Sequence, residues 1–307
     1  MKNLNIVFVI ALLLFVNSCE LDNQVDMPDF DVTVDAVTYQ VGDTVSFNFK
    51  GNPDIISFYS GEVFNNYNFK DGRELLADIS VRFQSQILDG AQDDQFFVVV
   101  STDFNGVYVV DSVKAATWTD ITSRFKIATH ADNRQYVSSG DVDITDLLSE
   151  DGSPLYFGFH YINRPNTAYG RYNLWRFSGF NMSAVTDLAT QTVIDQGTAG
   201  WKIVQEGEWE SGRVTVATSN FTFRGNVTNK EVHQEAWGIS LPLYIDKKTD
   251  FGPDRATPLK SFSEPSLELY NYVYTQPGTY EVVFIAANSN VYGRKEIVKR
   301  LNIEIIP

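Results

Sequence analysis

The chain has 307 residues, 43% of them apolar and 21% charged, which suits one large domain or two ordinary ones built around real cores and leaves out disorder, collagen and coiled coil for its bulk. Lys and Arg number 24 against 39 Asp and Glu, a net charge of −15, which argues against nucleic acid as a partner because phosphates must be met by basic charge. Cys19 is the one cysteine, so an intramolecular disulfide and a cysteine-based zinc cluster are both excluded.

The first element in chain order is an unbroken apolar run, residues 6–16 (IVFVIALLLFV), placed after Lys2. Its length suits the core of a signal peptide and is too short for an ordinary membrane-spanning helix. The run ends in Val16-Asn17-Ser18-Cys19, a small residue directly before cysteine, and this resembles the lipobox of bacterial lipoproteins. The resemblance implies that residues 1–18 are a lipoprotein signal peptide, that Cys19 is lipidated and that the mature protein is anchored to the outer membrane. The plainer alternative is a secretory signal with a chance cysteine. Residues 19–30 are acidic and poor in apolar side chains, so they read as a solvated tether. Acids directly after the cysteine also resemble the export tag of Bacteroidetes surface lipoproteins, which implies a position facing the cell exterior. The membrane is then reached through the lipid anchor only.

From Asp31 on, the dominant pattern is period-two alternation, which predicts β-strands. Val37, Tyr39 and Val41 alternate with polar residues, as do Val45, Phe47 and Phe49. Residues 79–87 (ISVRFQSQI) alternate cleanly over their whole length. Residues 96–100 (FFVVV) are continuously apolar, as expected of a strand buried on both faces. Residues 143–150 read as one short helical turn. Leu155, Phe157, Phe159 and Tyr161 share a strand face; so do Tyr280, Val282 and Phe284, and Leu301, Ile303 and Ile305. The predicted fold class is all-β, built of sandwiches.

Neither end of the chain supplies the roughly seven strands that an immunoglobulin-like sandwich needs, but together they nearly do. Residues 272–288 (YVYTQPGTYEVVFIAAN) resemble the closing strands of a polycystic-kidney-disease-type (PKD) domain, and residues 41–47 (VGDTVSF) resemble its opening. Residues 31–61 and 236–307 are therefore expected to form one discontinuous PKD-like sandwich, interrupted by an inserted domain over 62–235. Within the insert, residues 98–106 (VVVSTDFNG), 116–122 (ATWTDIT), 139–144 (SGDVDI) and 155–161 (LYFGFHY) come in an order that resembles the galactose-binding-like jelly roll of cleaved-adhesin domains.

Catalytic signals are thin. No Gly-x-Ser-x-Gly, His-Glu-x-x-His, Walker or dinucleotide motif occurs, and none of His130, His160 and His233 stands in a catalytic motif. Glu206, Glu208 and Glu210 are the nearest local approach to paired carboxylates, and they read as a solvated acidic edge before a cation site or a catalytic pair. Jelly rolls of the resembled type carry a structural calcium, for which Asp89, Asp93 and Asp94, or Asp141, Asp143 and Asp146, are the acidic clusters; solvated turns are the leading reading of both.

Recognition falls to loops and to aromatics outside the core. Two loops combine aromatic and arginine side chains: one offers Arg134 and Tyr136, the other Arg164, Tyr169 and Arg171. Both are expected at one rim of the insert. Trp201 and Trp209 are the less firmly core-like of the five tryptophans, with Trp118 and Trp175 read as structural and Trp237 as packing between domains.

Taken whole, the chain resembles uncharacterised surface lipoproteins of gut Bacteroidetes linked to glycan-utilisation loci. The resemblance implies a non-catalytic glycan-binding protein of a polysaccharide-uptake system, with a polysaccharide or oligosaccharide ligand and an outer-membrane transporter complex as partner. The competing readings are an adhesin or accessory structural lipoprotein that binds protein and, further off, a glycoside hydrolase.

Overall fold

A computed structural model describes residues 24–307; the signal-peptide and lipidation readings, Cys19 included, lie outside the described residues. The chain is all-β and divides into two compact units, one of residues up to Arg73 with Phe251–Pro307, the other of Glu74–Asp250.

The first unit carries β1 (Phe30–Val34), β2 (Thr38–Gln40), β3 (Thr44–Gly51) and β4 (Ile55–Tyr59), then β19 (Thr257–Lys260), β20 (Leu269–Val273), β21 (Gly278–Asn290) and β22 (Gly293–Ile306). One sheet runs β1-β3-β20 and the other β19-β4-β21-β22-β2. All pairs are antiparallel except β2 with β22. Of the alternating residues read from the sequence, Val45, Phe47 and Phe49 from one sheet face inward and meet Phe58, Val282, Phe284 and Ile303 from the other, whereas Val37 and Val41 are exposed. Tyr280, near the start of β21, donates its hydroxyl to the Gln276 carbonyl at 3.0 Å. The bond ties the start of β21 back to the turn that precedes it.

The second unit carries β5 (Glu74–Leu76), β6 (Asp78–Leu88), β7 (Phe96–Ser101), β8 (Thr119–Asp120), β9 (Val137–Ser138), β10 (Val142–Asp143), β11 (Tyr156–Asn163), β12 (Leu174–Val185), β13 (Thr190–Asp195), β14 (Lys202–Glu206), β15 (Val214–Val216), β16 (Asn220–Phe223), β17 (Gln234–Ile239) and β18 (Lys248–Asp250). One sheet runs β10-β6-β12-β16-β15, with β9 on β6 and β13 on β12; the other runs β14-β17-β11-β7-β8; β5 and β18 form a ribbon. Between the two large sheets lies an aromatic core that includes Phe83, Phe96, Phe157, Phe159, Phe177, Phe180, Phe221 and Phe223. The β11 sheet is buried on its other face too. Tyr156, Val204, Trp237 and Ile239 pack there with Phe104 and with Val113 of the short helix α1 (Val110–Ala115). The continuous apolar run at 96–100 follows from this double burial.

Three details depart from the sequence expectations. The unit boundaries lie at 73/74 and 250/251 rather than at 61/62 and 235/236. Residues 234–239 belong to the second unit: β17 lies between β14 and β11 inside its sheet. Trp237 is accordingly no packing residue between domains. It is buried on β17, its ring stacked 4.7 Å from His160 at an interplanar angle of 6°.

Candidate functional site

The two loops singled out from the sequence do meet at one end of the second unit, both against the loop 89–95. Arg134 Nη1 donates to Asp89 Oδ1 at 3.0 Å, and Gln86 Nε2 donates to the Arg134 carbonyl at 2.6 Å. Arg164 Nη1 donates to the carbonyls of Asp93 and Asp94, each at 3.0 Å, while Gln92 Nε2 reaches the carbonyls of Arg164 and Gly170, each at 2.8 Å. Asp89, Asp94, Asn133 and Arg134, with φ of 52°, 47°, 50° and 64°, hold left-handed backbone in this rim. Such strain persists only where surrounding bonds over-determine it. Arg134 and Arg164 are thus engaged in building the rim, while Tyr136 (40% exposed) and Tyr169 (55%) lie open on it with Arg171.

Trp201 and Trp209 are corrected. Trp201 is buried, 5.4 Å from Phe159 in a stacked arrangement and 5.0 Å from both Phe180 and Phe221. The signal was present in the alternation Trp201-x-Ile203, which continues into β14 and faces the core. Trp209 is half-buried, and its indole N–H donates to the Glu206 carbonyl at 2.8 Å. The three glutamates do not share a strand face, because β14 ends at Glu206. Glu206 pairs with Lys114, Glu208 accepts from Asn229 Nδ2, and Glu210 accepts the backbone N–H groups of Val227, Thr228 and Asn229. They hold a loop together.

The histidines are likewise engaged within the protein. His130 Nε2 lies 3.2 Å from Asn173 Oδ1, and His160 and His233 reach the two oxygens of Glu235 at 2.9 and 3.0 Å. The hydrogen bond from His160, helped by His233 and opposed by burial, pulls the Glu235 carboxyl down to about 2. A folded-state value below the unfolded one contributes stability that is fully present above ~4.3, the unfolded carboxyl value, and is lost as pH falls toward the folded value. Glu235→Gln is therefore expected to destabilise this unit by about 1–2 kcal/mol at pH 6, after allowance for screening by water. Urea unfolding of both proteins checks this, since the difference must shrink as pH falls from 5 toward 2.

The outer face of the β6 sheet holds a feature that sequence reasoning missed. There Asp78, Ser80 and Arg82 of β6, Asn181, Ser183 and Val185 of β12, Thr190 and Thr192 of β13, and Asp141 and Asp143 at β10 line a cleft of about 520 Å³. Strand register explains the assembly. Ser80 is paired with Asp143 on one side and Ser183 on the other, and Ser183 with Thr192; Arg82 is paired with Asn181, Asp78 with Val185. Four strands at the usual spacing, with three outward positions on β6 and β12 and two at β10 and β13, give a polar platform of ~14 by ~13 Å at its widest. The register shifts in β12 between Ser178 and Asn181, a bulge that bends the strand beside the cleft. Ser183 Oγ donates to Asn181 Oδ1 at 2.6 Å, and Asn181 Nδ2 to Thr192 Oγ1 at 3.2 Å. Among the described residues, the side chains of Asp78, Ser80, Arg82 and Asp141 make no hydrogen bond or ion pair, so their polar atoms are free for a ligand.

The acidic clusters considered for calcium are largely committed elsewhere. Asp89 holds Arg134, and Asp146 takes a bidentate pair from Arg124 at 2.7 and 2.8 Å. Among the described residues no three His, Cys, Asp or Glu side chains converge as a metal site.

Residues 18–201, more than half of the chain, match the model of the family described as Domain of unknown function (DUF5017). The match takes in the whole of β6 and β12 and stops before β17. No curated protein and no solved structure matches the chain.

Proposed function

We propose that this chain, which belongs to the family Domain of unknown function (DUF5017), is a non-catalytic glycan-binding lipoprotein that uses the cleft on the β6 sheet. The observation that carries the reading is that polar platform, on which the side chains of Asp78, Ser80, Arg82 and Asp141 have no partner among the described residues. Hydroxyls, an amide, carboxylates and one guanidinium in fixed register can each bond a sugar hydroxyl, and hydrogen bonds to charged groups are the strong ones. Three carboxylates stand there against one arginine, on a chain of net charge −15, so the ligand is a neutral or amine-bearing glycan rather than an acidic one. The platform spans more than one sugar ring, which favours a poly- or oligosaccharide. Anchoring through lipid on Cys19, an outer-membrane position facing the exterior, the PKD-like and jelly-roll assignments of the two units, and service to a transporter complex belong to the same proposal and rest on the sequence resemblance.

Affinity electrophoresis of the soluble chain from about Asp22, against a panel of neutral and acidic polysaccharides, tests the reading. Retardation by a neutral glycan is expected, with Arg82→Ala and Asp78→Asn/Asp141→Asn each weakening it about 10- to 100-fold, the worth of one or two charge-assisted hydrogen bonds. Tyr169→Ala and Arg171→Ala should leave it within a few-fold. Binding that depends on the rim pair and ignores Arg82 would move the site to the loops. Absence of any retardation would favour a protein-binding adhesin, and release of reducing sugar by the unaltered chain a hydrolase.

A further inference from the structure

The start of the described chain and the longest hairpin of the first unit meet at one end of the sandwich. β21 and β22 stay paired from Gly278 with Ile305 to Asn290 with Gly293, and the chain turns between them through Val291 and Tyr292. Val291 is 91% exposed and Tyr292 58%. The turn has a fixed shape, because Asn290 Oδ1 accepts the backbone N–H of Tyr292 at 2.8 Å and of Gly293 at 3.2 Å. Arg294 and Lys295 follow, both exposed, with Glu296 3.3 Å from Arg294. At this same end Val25 is buried, and its Cγ2 lies 4.0 Å from where a Cβ on Gly293 would stand. Asn288 Nδ2 donates to the Asp26 carbonyl at 3.3 Å. The chain is therefore fastened beside the hairpin tip from Val25 onward.

Single exposed apolar residues are ordinary. The position of these two is what matters. From Cys19 to Val25 a fully extended chain reaches at most ~20 Å. A bilayer that holds acyl chains on Cys19 is then held within that distance of the place where Val25 packs, and at that place Val291 and Tyr292 protrude at the hairpin tip next to Gly293, with Met27 exposed on the chain beside them. We propose that the Val291–Tyr292 tip is a second membrane contact, seated in the headgroup boundary of the same bilayer that holds the lipidated Cys19. The proposal rests on the lipid-anchor reading. Tyrosine suits that boundary because its ring is apolar and its hydroxyl stays wet. Arg294 and Lys295 lie where lipid phosphates would be, while Asp26 and Glu296 offset their charge, so the contact is apolar in origin and depends little on salt. Its intrinsic affinity can be small, because the anchor turns the contact into an intramolecular one. Its consequence is orientation: the β21–β22 end of the sandwich faces the membrane and the Val41 end faces away.

The test uses the full lipidated chain in phosphatidylcholine vesicles, with an environment-sensitive fluorophore on Val291→Cys. With Cys19 acylated, the introduced thiol is the one that reacts. Val41→Cys is the control: Val41 donates its N–H to Ile306 at 2.9 Å, so it sits at the far end of β22, ~40 Å from Gly293 along the strand. The fluorophore at 291 is expected to shift to the blue and to be quenched by spin-labelled lipid, and the one at 41 to do neither. An aqueous signal from 291 on protein that sediments with the vesicles and carries labelled palmitate overturns the tip contact and leaves the anchor standing. A chain that takes up no palmitate overturns both.

Discussion

Asp254→Ala is expected to destabilise the first unit by about 3–5 kcal/mol, because it leaves a buried guanidinium without its partner. Arg73 is 6% exposed and Asp254 3%. Arg73 Nε donates to Asp254 Oδ1 at 2.9 Å and Nη2 to Oδ2 at 2.7 Å; the backbone N–H of Asn66 also donates to Oδ2, at 2.9 Å. The guanidinium lies 3.7 Å from the Phe69 ring centroid. The pair stands where the chain leaves this unit and returns to it, since Arg73 and Phe251–Gly252 exchange backbone hydrogen bonds at 2.8 and 2.9 Å. Burial pushes the Asp254 carboxyl up, but Arg73 and the Asn66 amide together outweigh it and hold it below the usual carboxylate range. The pair's contribution is thus present above the unfolded value of ~3.9 and is lost as pH falls below it. Urea denaturation followed by hydrogen exchange reports the unit directly, through peptides from β3, β4 and β21. Arg73→Met/Asp254→Leu should recover most of the loss, because apolar replacement of a whole buried pair is often neutral. If the single variant costs less than ~1 kcal/mol, the pair is not what fastens the point of exit and return.

Where the outward positions are polar and the inward ones large, the strands were legible as period-two alternation. β6 shows this plainly, with Ile79, Val81 and Phe83 inward against Ser80, Arg82 and Gln84. β17 was not legible, and its residues explain why. Its inward positions are Ala236 and Gly238, small because Phe221 lies against them: a Cβ on Gly238 would stand 2.5 Å from the Phe221 ring. Its outward Trp237 is covered by the packing around α1, so the larger residue sits on the side that alternation marks as solvent-facing. A strand with that inversion does not show the alternation that marks β-strands. The rim loops were legible from composition, but their arginines were not legible as builders of the rim, since Arg134 bonds the Asp89 carboxylate 45 positions away and Arg164 the carbonyls of Asp93 and Asp94 some 70 positions away. The cleft was invisible for a related reason. Its side chains are ordinary outward residues of four strands, and the register that aligns Asp143, Ser80, Ser183 and Thr192 passes through bulges in β12 that no local pattern announces.

Phe159→Ala is the second large effect, with an expected cost of about 3–5 kcal/mol to the second unit, the usual range for removing a buried phenyl ring. Phe159 is fully buried at the centre of β11, opposite Gly238 on one neighbour and Val98 on the other. Its ring stacks on Phe177 at 5.0 Å and 15°, meets Phe83 edge-on at 5.3 Å, and stacks on Trp201 at 5.4 Å. Removal leaves a void bounded by rings from both sheets, and close-packed aromatics on fixed strands collapse poorly into such a space. Phe159→Leu keeps most of the volume and should cost roughly 1–2 kcal/mol, so the two variants together separate a cavity from a loss of aromatic contact. Urea midpoints, with Trp fluorescence as the readout because Trp201 adjoins the cavity, measure both. The core and the cleft share strands: β6 turns Phe83 toward Phe159 and Arg82 toward solvent, and β12 does the same with Phe177 and Asn181. Phe159 stands on the sheet opposite the one that carries the cleft, so, under the proposed glycan-binding reading, a Phe159→Ala chain held below its unfolding midpoint should bind as the unaltered chain does. A loss of affinity there, with the fold intact by circular dichroism, would mean that the packing between the sheets sets the spacing of the polar platform, and that the cleft is only as rigid as the aromatic layer beneath it.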